Sequence, residues 1–146
     1  MNPPLDRAWI LGHIPHQGGM CLNDAVGHWD CDHLRCTALS HRDPTNPLRV
    51  RGRLSALCGV EYAAQAVAIH GALLGCAAAP GMLGSVRDLI CDCAWLDEVP
   101  DPLCIGVERL GGDAQALLYR FQIDGSGRRL LSGRLSIILG PSSQKR

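Results

Sequence analysis

The sequence predicts an α+β domain in which one long central helix is wrapped by an antiparallel β-sheet. Residues 55–78 are rich in alanine, contain no proline and carry apolar residues on nearly every helical face, which is typical of a buried helix. Four strand-like runs then follow with no further helical pattern. Hydrophobic residues make up 47% of the chain and charged residues 19%, so there is enough apolar material for a core. This combination of elements is typical of the α+β class.

The elements before the central helix are short. We expect a helix over residues 5–12, a turn-rich segment over 13–19, and strands over 20–29 and 33–39. Residues 40–53 contain Pro44 and Pro47. Two prolines so close together exclude regular structure in that segment.

The central helix and the strands after it complete the predicted fold. Glu61 and Gln65 are isolated polar residues of the helix, four positions apart and therefore on one face, and Pro80 and Gly81 end it. We expect strands over residues 82–95, 103–110, 114–123 and 128–139, with hairpin signals at 111–112 and 124–127. A single buried helix enclosed by one antiparallel sheet is the arrangement called the hot-dog fold.

The chain length fits one domain, because 146 residues is a common domain size and the sequence contains no repeat or linker. We expect a single domain over residues 1–140. The polar residues 141–146 are expected to form a flexible tail.

The charge balance argues against several classes of partner. Fourteen basic residues and fourteen acidic residues give a net charge of zero, whereas nucleic-acid and anionic-membrane binders normally have a basic excess. The start of the chain does not resemble a secretory signal. The longest apolar stretch, residues 63–80, is interrupted by polar residues and glycines, so we expect no membrane span. A cytoplasmic protein is expected.

Eight cysteines raise the question of disulfides or a metal site. Disulfides are not expected in a protein that is not exported. Cys31, His33 and Cys36 are far in sequence from Cys91 and Cys93, and neither group has the spacing of a zinc site. We therefore expect no bound metal, and expect most cysteines to be small buried hydrophobic residues.

Two motifs lie at the start of the chain and in the central helix: residues 14–26 read IPHQGGMCLNDAV, and residues 59–66 read GVEYAAQA. They resemble motifs of hot-dog-fold 3-hydroxyacyl-[acyl carrier protein] dehydratases. Both are most similar to the dehydratase branch of aryl-polyene biosynthesis, and the similarity covers most of the chain in order. The better-known fatty-acid dehydratases carry a catalytic histidine before the helix acid, at a spacing that falls on Pro47 here. Asn23 also replaces the usual leucine before the aspartate.

The resemblance implies a reaction and partners. The chain is expected to remove water from a 3-hydroxyacyl thioester on an acyl carrier protein, giving a trans-2-enoyl thioester in fatty-acid-like or polyene lipid biosynthesis. It is expected to act as a homodimer or as a heterodimer with another hot-dog subunit. It needs no cofactor of its own, because the phosphopantetheine arm arrives with the carrier protein.

Three residues are candidates for acid/base catalysis. Burial of a carboxylate among apolar side chains suits it to holding or giving a proton, and Glu61 lies in such a helix. His16, in the first motif, is the first candidate partner, and His41 in the loop over residues 40–53 is the second. A role in fixing the turn is the alternative for His16. His70 is nine residues after Glu61 and nearly opposite in angle, so we do not expect the two to share a site.

Other residues are candidates for substrate binding. Gly59 and Val60 begin the helix, where free backbone N–H groups can stabilise the thioester oxygen, although Gly59 could instead be a packing glycine. Gln65 could orient Glu61 or simply close a polar pocket. Three alternating arginines could bind the arm's phosphate or an acidic carrier protein, or could form a solvated edge: Arg49, Arg51 and Arg53.

Two other functions are consistent with the sequence. The same fold hosts thioesterases, and Glu61 could hold a hydrolytic water without a histidine. A non-catalytic partner of a heterodimer is the second alternative, and the missing histidine at Pro47 favours it.

Overall fold

The computed structural model describes residues 5–75 and 81–139 of the chain. Its helices and strands are, in chain order, α1 (Arg7–Leu11), β1 (Ala25–Trp29), β2 (His33–Ala38), α2 (Gly59–Leu73), β3 (Gly81–Cys91), β4 (Leu103–Gly112), β5 (Ala116–Gly125) and β6 (Arg128–Leu139). Single 3-10 turns lie at Gly18–Met20, Ser40–Arg42, Ala56–Cys58 and Leu96–Glu98. No described helix is long and apolar enough to span a membrane.

The strands form one six-stranded sheet in the order β1-β2-β4-β5-β6-β3, and every neighbouring pair is antiparallel. The helix α2 packs against this sheet, and its buried residues join the side chains of β2, β4, β5 and β6 in one hydrophobic core. The largest fully buried side chains include Tyr62, Tyr119 and Phe121, so three of the few aromatic residues are in the core. The prediction of an α+β hot-dog fold is confirmed.

The central helix is shorter than predicted. The Ser55 hydroxyl accepts a hydrogen bond from the N–H of Leu57 (3.2 Å) at the start of a 3-10 turn, and the α-helix begins only at Gly59. It ends at Leu73, and Gly75 follows with a φ of +80°, a conformation that favours glycine and stops a helix. The end predicted over residues 76–78 lies outside the described residues.

The last four strands lie where the sequence predicts them, with small shifts at their ends. The β5–β6 turn places Ser126 and Gly127 at φ of 53° and 76°, the left-handed pair that a tight hairpin requires. The hairpin predicted at residues 111–112 turns slightly later, because Gly112 still pairs with Leu117 in the sheet. The Asp113 carboxylate accepts hydrogen bonds from the backbone N–H groups of Gln115 and Ala116, and these bonds form the turn.

The strand predicted over residues 20–29 begins only at Ala25. Met20 lies in a 3-10 turn, and the carbonyl of Met20 and the N–H of Leu22 are bonded to the side chain of Gln65 in α2. The backbone first bonds to β2 at Asp24, whose N–H donates to the carbonyl of Thr37 (2.8 Å). Residues 40–53 contain the 3-10 turn Ser40–Arg42 and are otherwise irregular. The tail predicted over residues 141–146 lies outside the described residues, and the domain bounds 1–140 stay a prediction.

The two edges of the sheet differ in how they are covered. At β1, the N–H of Val26 donates to the carbonyl of Leu5 (2.9 Å), and Asp6 forms a β-bridge with Ala25. At the other edge, β3 pairs with β6, and no other part of residues 5–75 and 81–139 pairs with its free side. Most residues of β3 are exposed, including four large hydrophobic ones: Met82, Leu83, Leu89 and Ile90.

Candidate functional site

A cavity of about 470 Å³ lies along one face of α2. Its walls come from that helix face, the loop after α1, the start of β3 and the adjoining ends of β4, β5 and β6. Much of the wall is apolar and built from small or branched residues, among them Ala64, Ala68, Gly71, Leu117 and Ile137. The polar residues of the lining are His13, His16, Glu61, Arg109, Asp113 and Tyr119. An apolar cavity with few polar groups is the usual form of a small-molecule site.

Glu61 lies in the first turn of α2 and lines this cavity. Its side chain is half-buried and makes no hydrogen bond or ion pair with any residue that the structure describes. Both carboxylate oxygens are therefore available to a molecule bound in the cavity. A carboxylate held on a helix without a structural partner is suited to proton transfer.

His16 lines the same cavity from the loop between α1 and β1. Its Nδ1 atom is buried and has no hydrogen-bond partner among the described residues. The loop is held by Gln17, whose side-chain amide donates to the carbonyls of Leu11 (2.7 Å) and Ile14 (3.2 Å). Buried polar atoms are normally hydrogen-bonded, so an unpaired nitrogen in a side chain that lines a cavity makes His16 a candidate for ligand contact.

Gln65 connects the two sequence motifs directly. Its Oε1 atom accepts a hydrogen bond from the N–H of Leu22 (3.0 Å), and its Nε2 donates to the carbonyl of Met20 (2.7 Å). The side chain is fully buried and does not line the cavity. Gln65 thus holds the first motif against the helix. Its expected role in substrate binding stays a prediction, at a residue outside the cavity lining.

Gly59 is a packing position. Its N–H donates to the carbonyl of Ala56 in the preceding turn, so it is not free to bind a ligand. A Cβ at this residue would lie 2.5 Å from Cδ2 of Leu131 and 2.9 Å from Cδ1 of Ile123, both in the core. The glycine lets the start of the helix approach the sheet. Neither Gly59 nor the half-buried Val60 lines the cavity.

His41 lies apart from the cavity. It is fully buried, and its Nε2 donates to the carbonyls of Val99 and Asp101, both at 3.0 Å. Its Nδ1 has no partner among the described residues. Burial lowers the pKa of His41, and the nearby guanidinium groups of Arg42 and Arg49 lower it further, against the two carbonyl contacts. The structure therefore places His16, and not His41, beside the cavity that Glu61 lines.

His70 is also buried and does not line the cavity. Its Nε2 donates to the carbonyl of Asp30 (2.8 Å), because a carbonyl oxygen can only accept. In the neutral ring, Nδ1 then accepts from the hydroxyl of Tyr119 (2.7 Å). His70 thus fixes Tyr119, which does reach the cavity.

The alternating arginines are largely used within the loop that carries them. Arg49 donates to the carbonyls of His41, Asp43 and Gly52. Arg53 binds Asp97 and Glu98 and lies 4.2 Å from the centroid of the Trp95 ring. Of the three, only Arg51 is exposed with no hydrogen bond or ion pair to the described residues.

Sequence reasoning missed four polar residues of the cavity: His13, Arg109, Asp113 and Tyr119. His13 stacks on Trp9 at 3.9 Å and donates from Nδ1 to its carbonyl (2.7 Å). Asp113 lies in the β4–β5 turn. Arg109 and Tyr119 are strand residues, and alternation alone does not distinguish a cavity-facing position from a core position. No group of three or more His, Cys, Asp or Glu side chains within the described ranges is arranged to hold a metal ion.

The environment of His41 predicts a pH-dependent stability. Because its pKa is lowered in the fold, the unfolded chain binds this proton more readily than the folded chain. The stability that depends on neutral His41 is therefore fully present above about pH 6.5, the ordinary pKa of histidine, and is lost as the pH falls through the lowered value. The free energy of unfolding from urea titrations should decrease between about pH 7.5 and pH 5.5, by at most about 1.4 kcal/mol per pH unit for one proton.

Two variants separate His41 from the other histidines. His41→Gln can still donate to the Val99 carbonyl but does not titrate, so its stability should be lower at neutral pH and flatter towards acid. His28→Gln, at an exposed histidine, should keep the wild-type slope. A His41→Gln curve as steep as that of the wild type would contradict the assignment.

Comparisons with known proteins agree with this architecture. Residues 10–145 match the ApeP-like family, described as ApeP dehydratase. The dehydratase heterocomplex ApeI:P from Xenorhabdus doucetiae has a similar structure, with a TM-score of 0.81 and 23% identity over 99% of this chain and 95% of that chain. No curated protein matches the chain in sequence.

Solved thioesterase structures are similar at lower scores. A mutant thioesterase from Pseudomonas aeruginosa has a TM-score of 0.66 and 13% identity over 97% of both chains. A hypothetical thioesterase with coenzyme A from Streptococcus pneumoniae has a TM-score of 0.55 and 15% identity over 80% of this chain and 85% of that chain. At such identities the likeness shows the shared hot-dog fold and does not choose a reaction.

Proposed function

Because the chain belongs to the ApeP-like dehydratase family, we propose that it removes water from a 3-hydroxyacyl thioester carried on an acyl carrier protein. The product is the trans-2-enoyl thioester, as in fatty-acid-like or polyene lipid biosynthesis. The observation that carries the proposal is the shared cavity of Glu61 and His16. The two residues come from the two separate motifs, and neither side chain has a hydrogen-bond partner among the described residues.

The pair supplies what dehydration requires. One group takes the proton from C2, the carbon next to the thioester, and a proton is delivered to the hydroxyl on C3. The C2–H and C3–O bonds break, the C2=C3 double bond forms, and water leaves with no net change in protons. Glu61 and His16 are the proposed acid/base pair. The small and branched side chains along α2 bind the acyl chain and exclude water from the reacting carbons.

The thioester oxygen gains negative charge as the C2 proton leaves and needs a donor. Gly59 does not fill this role, since its N–H is bonded within the preceding turn. Val60, the other residue expected to supply a donor from the start of α2, does not line the cavity, so neither position is part of the proposed site.

A partner subunit is proposed on the free edge of β3. This edge exposes unpaired backbone and several large hydrophobic residues, which is a surface that proteins normally cover. Gly81, Met82 and Leu83 belong to both the edge and the cavity wall. A second hot-dog subunit at this edge would therefore also close the cavity. The similar structure from Xenorhabdus doucetiae is a heterocomplex, which supports a heterodimer over a homodimer.

The second candidate function is that of a non-catalytic partner subunit. The position where better-known enzymes carry a histidine is Pro47, and His41 in the same loop is held by two carbonyls away from the cavity. A catalytic site on the partner subunit would then perform the reaction, and this chain would supply the wall and the interface.

Intact-mass analysis of a 3-hydroxyacyl carrier protein tests the proposal. The substrate is incubated with the purified chain, with a hot-dog partner subunit, and with both together. Loss of one water supports the dehydratase, and loss of the whole acyl group from the carrier supports a thioesterase. If the partner alone is as active as the complex, the chain is not required for catalysis and the proposal is wrong.

A further inference from the structure

Arg109 differs from the other arginines of the described chain. Eight of them form hydrogen bonds or ion pairs with described residues: Arg7, Arg42, Arg49, Arg53, Arg120, Arg128, Arg129 and Arg134. Among the described residues, the side chains of Arg35, Arg51, Arg87 and Arg109 have no such partner. The first three are exposed to solvent, whereas Arg109 is half-buried and lines the cavity.

A guanidinium in a partly apolar cavity is a strong indication of an anionic ligand. Removing a charge from water is costly unless an opposite charge compensates it. Two carboxylates line the same cavity, Glu61 and Asp113, and neither makes an ion pair with Arg109. Asp113 accepts hydrogen bonds from the backbone N–H groups of Gln115 and Ala116. These bonds lower the pKa of Asp113 and fix it in its turn. Arg109 is thus left for a bound molecule.

Arg109 is at the opposite end of the cavity from Glu61. It is paired in register with Tyr119, whose hydroxyl is bonded to His70 near the end of α2. Its own N–H donates to the carbonyl of Asp32 (2.7 Å), which fixes the strand at this point. His70 follows Glu61 by nine positions along the helix, a rise of about 13 Å. Apolar residues of the cavity wall, including Ala64 and Ala68, lie between the two ends.

We propose that Arg109 binds an anionic group of the thioester substrate, a carboxylate or a phosphate, at the end of the cavity opposite Glu61. The inference rests on the proposed function for the identity of the substrate. A terminal carboxylate on the acyl chain and the phosphate of the phosphopantetheine arm present the same chemistry, because a guanidinium binds either through two parallel hydrogen bonds. In both cases Arg109 positions the substrate and takes no part in proton transfer.

Binding measurements with saturated acyl thioesters test the proposal without requiring turnover. Four ligands combine an acyl end that is methyl or carboxylate with a carrier that is phosphopantetheine or pantetheine lacking the phosphate. Calorimetry with the full chain, together with its partner subunit where one copurifies, gives the dissociation constants. Arg109→Gln should weaken binding about 10- to 100-fold for ligands with the recognised anion, and Arg109→Lys should weaken it less.

The pattern of losses identifies the source of the anion. A loss confined to phosphate-bearing ligands assigns Arg109 to the arm, and a loss confined to carboxylate-bearing ligands assigns it to the acyl end. Arg35→Gln, which removes an exposed and unpaired arginine of β2, should leave all four affinities unchanged. Equal affinities of wild type and Arg109→Gln for every ligand would overturn the inference. A wild type that binds these ligands but fails to dehydrate 3-hydroxyacyl substrates would instead refute the proposed function.

Discussion

Replacement of Glu61 by glutamine is expected to slow dehydration by about 10²- to 10⁴-fold, the contribution of a positioned acid or base. Glutamine keeps the shape of the side chain but cannot exchange a proton. The fold should be unaffected, because the Glu61 side chain makes no hydrogen bond or ion pair with the described residues. Initial rates with a 3-hydroxyacyl carrier protein, followed by intact mass, give the size of the effect. A matching urea midpoint shows that stability is unchanged.

The controls distinguish chemistry from charge and choose between the histidines. Glu108→Gln removes a carboxylate outside the cavity, which is paired with Arg120, and should keep the wild-type rate. His16→Asn should cause a loss similar to that of Glu61→Gln. His41→Gln should retain turnover at neutral pH, since that histidine lies away from the cavity.

The combination of variants tests whether Glu61 and His16 act as a unit. If they do, the Glu61→Gln and His16→Asn double variant should be no slower than the slower single variant. If the complex with a hot-dog partner is equally active with wild-type chain and with Glu61→Gln, the acid/base role is wrong. The chain would then be the non-catalytic subunit.

The fold was predictable because its signals are local. The alanine-rich helix, the turn at Ser126 and Gly127 and the alternating strands each depend on residues close in sequence. The helix bounds were less predictable, since Gly59 and Gly75 mark its ends through packing and backbone angle, not through hydrophobic pattern.

The site was only partly predictable because its contacts are long-range. Glu61 and His16 could be named from their motifs, but the sequence could not choose between His16 and His41. That choice depends on how two loops fold back on the helix. Gln65 was likewise named without its partners, because its bonds to Met20 and Leu22 cross more than forty residues of chain.

A charge introduced at the free edge of β3 is expected to weaken assembly strongly. Ile90→Lys should dissociate the chain from its partner subunit, raising the dissociation constant by about 100-fold or more. The substitution removes an apolar side chain worth about 1.5–3 kcal/mol when buried and places a charge in the interface. Ile90 does not line the cavity, so the change tests assembly without altering the site. Analytical ultracentrifugation of the purified complex measures the result.

Leu39→Lys is the matched control for this experiment. Leu39 is 56% exposed and Ile90 is 57% exposed, but Leu39 follows β2, far along the sheet order from β3. A loss of assembly with Ile90→Lys and not with Leu39→Lys assigns the interface to β3. Intact assembly in both variants would show that the interface lies elsewhere.

Because Met82 and Leu83 belong to the same edge and to the cavity wall, dissociation at β3 should also open the cavity and lower activity. Assembly and catalysis are therefore expected to fail together in Ile90→Lys, whereas Glu61→Gln should lose catalysis alone.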